Sequence, residues 1–161
     1  MIGPEQLADA FALNLRVIKR QTVGLTNDDS LLQPPVRGNC MNWVLGHVAE
    51  SRATVLQELG AEPVVERAAL ARYAREGEPV TGAGEGVLAL DELLAALERA
   101  QAGIAVGLAR ATPEALAREV QVGGRAMTVG QRVFGLYFHE TYHLGQLELL
   151  RQLAGTDDKV I

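Results

Sequence analysis

The sequence predicts an all-α protein, a four-helix bundle built from a single domain over residues 1–161. Three observations carry this. Apolar residues recur at helical spacing in four long segments, aromatic residues are only 4% of the chain, and hydrophobic residues outnumber charged ones, 48% to 22%. Abundant Ala, Leu, Glu and Arg with few aromatics favours helix over sheet. Four amphipathic segments with no convincing strand between them pack as a bundle. A chain of 161 residues buries about two-thirds of its unfolded surface, enough for a core without staples.

The first helix spans residues 4–23. Leu7, Phe11, Leu15 and Ile18 fall on one face, and Pro4 suits a first turn. Residues 26–39 hold Asn27-Asp28-Asp29-Ser30, Pro34-Pro35 and Gly38, a loop with a turn of helix at 28–32. The second helix, 42–59, stops at Gly60 and turns Val44, Val48, Ser51, Val55 and Leu59 inward. His47 lies about 60° from Val44 on that wheel, at the edge of the buried face. Residues 60–86 form a long connection between helices two and three, with a short helix at 66–75 and then Gly77, Pro79, Gly82, Gly84 and Gly86. Either side of it alone would be only a helical hairpin, so it is not a domain linker.

The third helix, 88–110, carries Leu90, Leu94, Leu97, Ile104 and Leu108, with Gln101 interrupting the stripe. Thr112-Pro113-Glu114 reads as a cap and first turn of a short element. Gly123-Gly124 breaks the chain. The fourth helix, 128–153, ends at Gly155 and buries Val129, Val133, Leu136, Leu147, Leu150 and Ala154.

Charge and composition exclude several classes. The net charge is −5, from 15 basic and 20 acidic residues, and no Lys/Arg cluster exists to follow a phosphate backbone. Nucleic acid is therefore not an expected partner. No run approaches the roughly 18 apolar residues of a membrane span, and the first residues lack the basic start of a signal peptide. The single Cys40 fits a reducing cytosol as a small buried hydrophobe. The expected location is cytoplasmic.

The chain has three histidines. His139 and His143 stand four apart on helix four, so both imidazoles can reach one ion. They lie about 80° and 40° from Val129 on the wheel, flanking the buried stripe as His47 does on helix two. Three imidazoles on two inner faces suggest a metal site, since neutral imidazole is the commonest protein ligand for Zn, Ni, Cu and Fe. Three protein ligands leave positions open for water or substrate.

Residues 139–143, His-Glu-Thr-Tyr-His, also match H-E-x-x-H, where the Glu is the general base of a zinc peptidase. Its context is poor. Past His143 only Glu148, Asp157 and Asp158 could supply a third ligand, and no strand would hold a peptide. Glu140 lies within about 20° of Val129, near the centre of the buried stripe, where a lone carboxylate is expensive. It can bond a metal-bound water, act as a catalytic base, or pair with a buried Arg.

Asn42-Trp43-Val44-Leu45-Gly46-His47 on helix two and His139-x-x-x-His143-Leu144-Gly145-Gln146-Leu147 on helix four resemble the DinB/YfiT-like superfamily over nearly the whole chain. The resemblance implies an up-down-down-up bundle, often a homodimer, with a divalent metal, Zn or Ni, on His47, His139 and His143. It implies a thiol S-transferase that uses bacillithiol, mycothiol or glutathione against an electrophile, in stress or detoxification. A metal lowers a bound thiol's pKa, which suits that chemistry. The other readings are a zinc hydrolase using Glu140 and a non-enzymatic, metal-stabilised binding module. Gly103 and Gly107, one turn apart on helix three, would allow the close helix approach of a homodimer, the commonest oligomer.

Overall fold

The computed structural model describes residues 2–156. All four long helices form. Helix α1 runs Pro4–Thr22, α3 Met41–Glu58, α5 Leu90–Arg110 and α7 Val129–Leu153. Between α1 and α3 lies α2, Asn27–Ser30. It starts one residue earlier than the sequence predicts because Thr26 caps it. The Thr26 hydroxyl accepts from the Asp29 amide, while the Asp29 carboxylate accepts from the Thr26 amide. The expected helix at 66–75 is a single turn, α4 (Arg67–Leu70), tightening into a 3₁₀ turn at Ala71–Tyr73. Thr112 caps the short α6, Pro113–Ala117.

Helices α1 and α3 each pack on both α5 and α7, so α1 lies diagonally across from α3. Two apolar clusters fix the directions. One joins Ile18, Met41, Val44, Leu93 and Leu147; the other joins Leu7, Phe11, Val55, Ile104 and Val133. The first cluster therefore takes the end of α1, the start of α3 and α5, and the end of α7. The second takes the opposite ends. The order is up-down-down-up.

The absence of strands is corrected by the structure. Residues Glu119–Val122 and Arg125–Thr128 pair as an antiparallel hairpin, β1 and β2, with Val122 opposite Arg125. Gly123 and Gly124, at φ 56° and 79°, are not a mere break. They are the two-residue turn that joins the strands, where positive φ at both positions matches the strand twist. Four-residue strands give too few alternations to stand out.

The glycine pair on α5 has a different use from the one expected. A Cβ on Gly103 would stand 2.7 Å from Leu56 Cδ2, and one on Gly107 3.1 Å from Leu59. The close approach they permit is that of α5 on α3, within one chain. Helix α3 is buried on nearly every side. Among the described residues no helix is long and apolar enough to cross a membrane.

Candidate metal centre

The site is assembled from α3, the turn at 71–73 and α7. Gly46 begins it. A Cβ at Gly46 would lie 2.1 Å from the Tyr73 ring, so only glycine lets that ring pack flat on α3. Tyr73 is then locked: its hydroxyl donates to Asn42 Oδ1 (3.0 Å) and accepts from the Leu88 amide (2.8 Å). Thus positioned, the Tyr73 carbonyl accepts from His47 Nδ1 at 2.7 Å. Trp43 stacks on the same imidazole, centroids 4.7 Å apart and planes 18° from parallel. A carbonyl has only lone pairs, so His47 carries its proton on Nδ1 and offers a bare Nε2.

His143 is held likewise. Its Nδ1 donates to Gln146 Oε1 at 2.6 Å, freeing Nε2. His139 Nδ1 lies 3.4 Å from Ser51 Oγ. The three Nε2 atoms converge. His139 Nε2 is 3.3 Å from that of His47 and 3.1 Å from that of His143, and all three lie within 4.8 Å of one another. His139 can donate at most one proton, so without a shared cation at least one pair of lone pairs would face each other. Two nitrogens each about 2.05 Å from one ion at a tetrahedral angle stand about 3.3 Å apart. The donor set, its spacing and the outer hydrogen bonds that orient each ring therefore fit a divalent cation.

Burial lowers the proton affinity of His139 most, and the neighbouring His143 and His47, with Arg132 and Arg75, lower it further, to a pKa of about 4. Burial also lowers that of His143, against the Gln146 hydrogen bond that raises it. These shifts have a definite sign. Unfolded histidine takes a proton near about pH 6.5, whereas folded His139 stays neutral to about pH 4. The metal-free fold thus loses stability as pH falls from about 6.5 toward 4, and is unaffected above that window. Metal needs neutral rings. Occupancy measured after dialysis is expected to hold from about pH 7.5 to well below 6.5 and to fall as pH approaches about 4, where His139 takes up its proton. Equal occupancy at pH 7.5 and at pH 4 would exclude an imidazole site.

Glu140 is elsewhere. Its side chain is 1% exposed and Arg52's is 0%. Arg52 Nη2 donates to Glu140 Oε1 at 2.7 Å and Arg52 Nε to Oε2 at 2.8 Å. The same guanidinium donates to the Phe11 and Leu97 carbonyls and to Gln101 Oε1. Of the three roles open to Glu140, the structure displays pairing with a buried Arg. Both carboxylate oxygens are engaged there, so the geometry gives a base role, and the hydrolase reading built on it, no support. The Gln101 that interrupts the α5 stripe is explained by the same network. Glu148 accepts from Gln21 on α1, and Asp157 and Asp158 lie outside the described residues.

Sequence reasoning missed the space beside the triad. A cleft of about 780 Å³ opens past His47 and His139, bounded by the hairpin at Ala126 and Met127 and by Arg75 and Arg132. A larger reading of Gly123-Gly124 as a hairpin turn would have placed its wall.

A helical bundle with three convergent imidazoles, two of them lining a cleft, is the architecture of a metal-binding protein. The DinB superfamily model matches residues 14–147, which takes in all three histidines, and the chain belongs to that family. No curated protein matches it. Among solved structures it is similar to a conserved protein from Enterococcus faecalis, at TM-score 0.74 and 15% identity over 97% of this chain and 100% of that one. It is also similar to a mycothiol-dependent maleylpyruvate isomerase solved as a His-to-Ala mutant, at TM-score 0.65 and 16% identity over 91% of this chain. This chain spans 61% of the isomerase's length. At these identities the likeness is one of fold.

Proposed function

We propose that this protein is a cytoplasmic, metal-dependent thiol S-transferase of stress or detoxification chemistry, with Zn or Ni on His47, His139 and His143. The observation that carries the reading is the set of three Nε2 atoms facing one point, with the cleft beside them. His47, His139 and His143 would hold the divalent ion, which would supply a lowered thiol pKa at neutral pH. The chain's own residues do the rest. Tyr73, Gln146 and Ser51 fix the rings from behind, and the cleft admits the electrophile. The thiol proton leaves to solvent, the sulfur–carbon bond forms, and the leaving group departs with its electron pair.

Metal analysis of the purified protein, then bacillithiol, mycothiol and glutathione assayed against one alkyl chloride, tests this. Stoichiometric metal and turnover with at least one thiol are expected. Tight metal without transfer of any thiol would favour the binding-module reading.

We further propose a homodimer formed through α7. Phe134, Phe138, Tyr142 and Leu149 are exposed, Phe138 and Tyr142 at 65% each. They fall within about 80° on the wheel. Gly145 lies amid them with nothing within 4 Å of its Cβ position, leaving room for another helix. A second copy satisfies this stripe with the same stripe, as a twofold interface requires. Sedimentation at micromolar concentration should show a dimer, and Phe138→Glu should give a monomer with unchanged metal content. A monomeric wild type would refute the proposal.

A further inference from the structure

Arg132 and Arg75 are two cations that make no ion pair among the described residues. Arg132 sits seven residues before His139 on α7, two turns away on the same face, and its buried Nε has no hydrogen-bond partner. Arg75 follows the turn that carries Tyr73. Neither is in any of the ion pairs among the described residues, which are Lys19–Glu98, Arg52–Glu140 and Arg118–Glu58. Both line the cleft beside His47 and His139. Its one acidic lining residue is Glu50, so the wall carries a net positive charge in a chain whose net charge is −5. Such a patch focuses anions. A buried guanidinium Nε without a partner, on a side chain that lines the cleft, is a standing cost.

We infer that Arg132 and Arg75 form a carboxylate-binding subsite, which holds one reactant of the metal centre by its carboxylate with its reacting atom toward the three histidines. Planar guanidinium forks match a carboxylate. Phosphate is the poorer fit. The α7 N-terminus that would supply backbone donors is closed by its own capping box, Thr128 with Gln131. A cleft of about 780 Å³ has the size of a small-molecule site. The assignment of a reactant rests on the proposed transferase reading; the carboxylate subsite itself does not.

Calorimetry on the zinc-loaded protein tests the subsite without turnover. Succinate is the probe, with its neutral diamide and inorganic phosphate as controls. Succinate should bind and the diamide should not. Arg132→Gln and Arg75→Gln should each weaken succinate about tenfold, the size of one charge-assisted hydrogen bond, with zinc content unchanged. Arg75 is exposed on a turn, so its variant folds even if Arg132→Gln does not. Any direct carboxylate–zinc contact is common to all variants, so the difference isolates the arginines. Titrations with glutathione and with carboxylate-free N-acetylcysteamine then show whose carboxylate it is. If the variants weaken glutathione alone, the thiol brings it; if they weaken neither thiol while weakening succinate, the electrophile does. Succinate binding within twofold of wild type in both variants, equal binding of the diamide, or tighter binding of phosphate would each overturn the assignment.

Discussion

Replacing Glu140 by Gln is expected to destabilise the fold by about 3–5 kcal/mol, the usual consequence of removing one partner from a buried ion pair. The substitution keeps the side-chain shape, so no cavity term enters. What it removes is the charge opposite Arg52, whose side chain is fully buried. Arginine cannot shed its proton to relieve this. Its remaining partners, the Phe11 and Leu97 carbonyls and Gln101, are neutral, and the Gln amide would turn either a donor toward Arg52 or a single acceptor. For a chain of this size the melting temperature should drop by roughly 6–20 °C, at about 2–4 °C per kcal/mol. Urea unfolding gives the same quantity directly. Changing Arg52 to Met together with Glu140 to Leu should recover much of the loss, since an apolar pair of similar volume often matches a buried ion pair. If Glu140→Gln unfolds at the wild-type midpoint yet loses orders of magnitude in rate, the carboxylate is a chemical group after all and the hydrolase reading returns.

This pair also marks where the sequence could be read and where it could not. Periodicity located the four long helices because each buries a continuous stripe, and such stripes repeat along the chain within one element. The placing of Glu140 near the middle of a buried stripe on α7 followed from the same wheel. Its partner did not, because Arg52 reaches it from α3, 88 residues away in the chain, and nothing local ties the two. The histidines were the favourable case: two share one helix face, and His47 stood at the edge of another. Tyr73, which orients His47 through its main-chain carbonyl, left no signal of that kind, since any residue has a carbonyl. Its only trace was Gly46, in whose absent Cβ the ring packs. The outer stripe on α7 was hidden for another reason. A helix apolar on two faces shows weak amphipathicity, and the inward stripe claimed the reading.

His143→Ala is expected to abolish tight metal binding while leaving the bundle folded. Loss of an outer-shell partner alone lowers metal affinity about ten- to a hundredfold, and loss of a ligand should exceed that. The metal-free fold should change little. The apolar clusters at the two ends of the bundle supply most of the folding energy, and the removed ring, 8% exposed, lies against two other imidazoles, Tyr142 and Gln146. The difference therefore appears only when metal is present. Wild type in free ion at about a hundred times its dissociation constant gains about 2.7 kcal/mol; the variant should gain close to nothing. Thermal melts with chelator and with added zinc, on both proteins, separate these terms. The same variant divides enzyme from scaffold. If the ion only braces the helices, the loss is confined to that metal-dependent stability and no activity exists to disappear. If the ion activates a thiol, transfer should vanish in a protein that still melts cooperatively with chelator present. Equal metal-dependent stabilisation of wild type and variant would mean that the ion is held by other residues, and His47, His139 and His143 would not be its ligands.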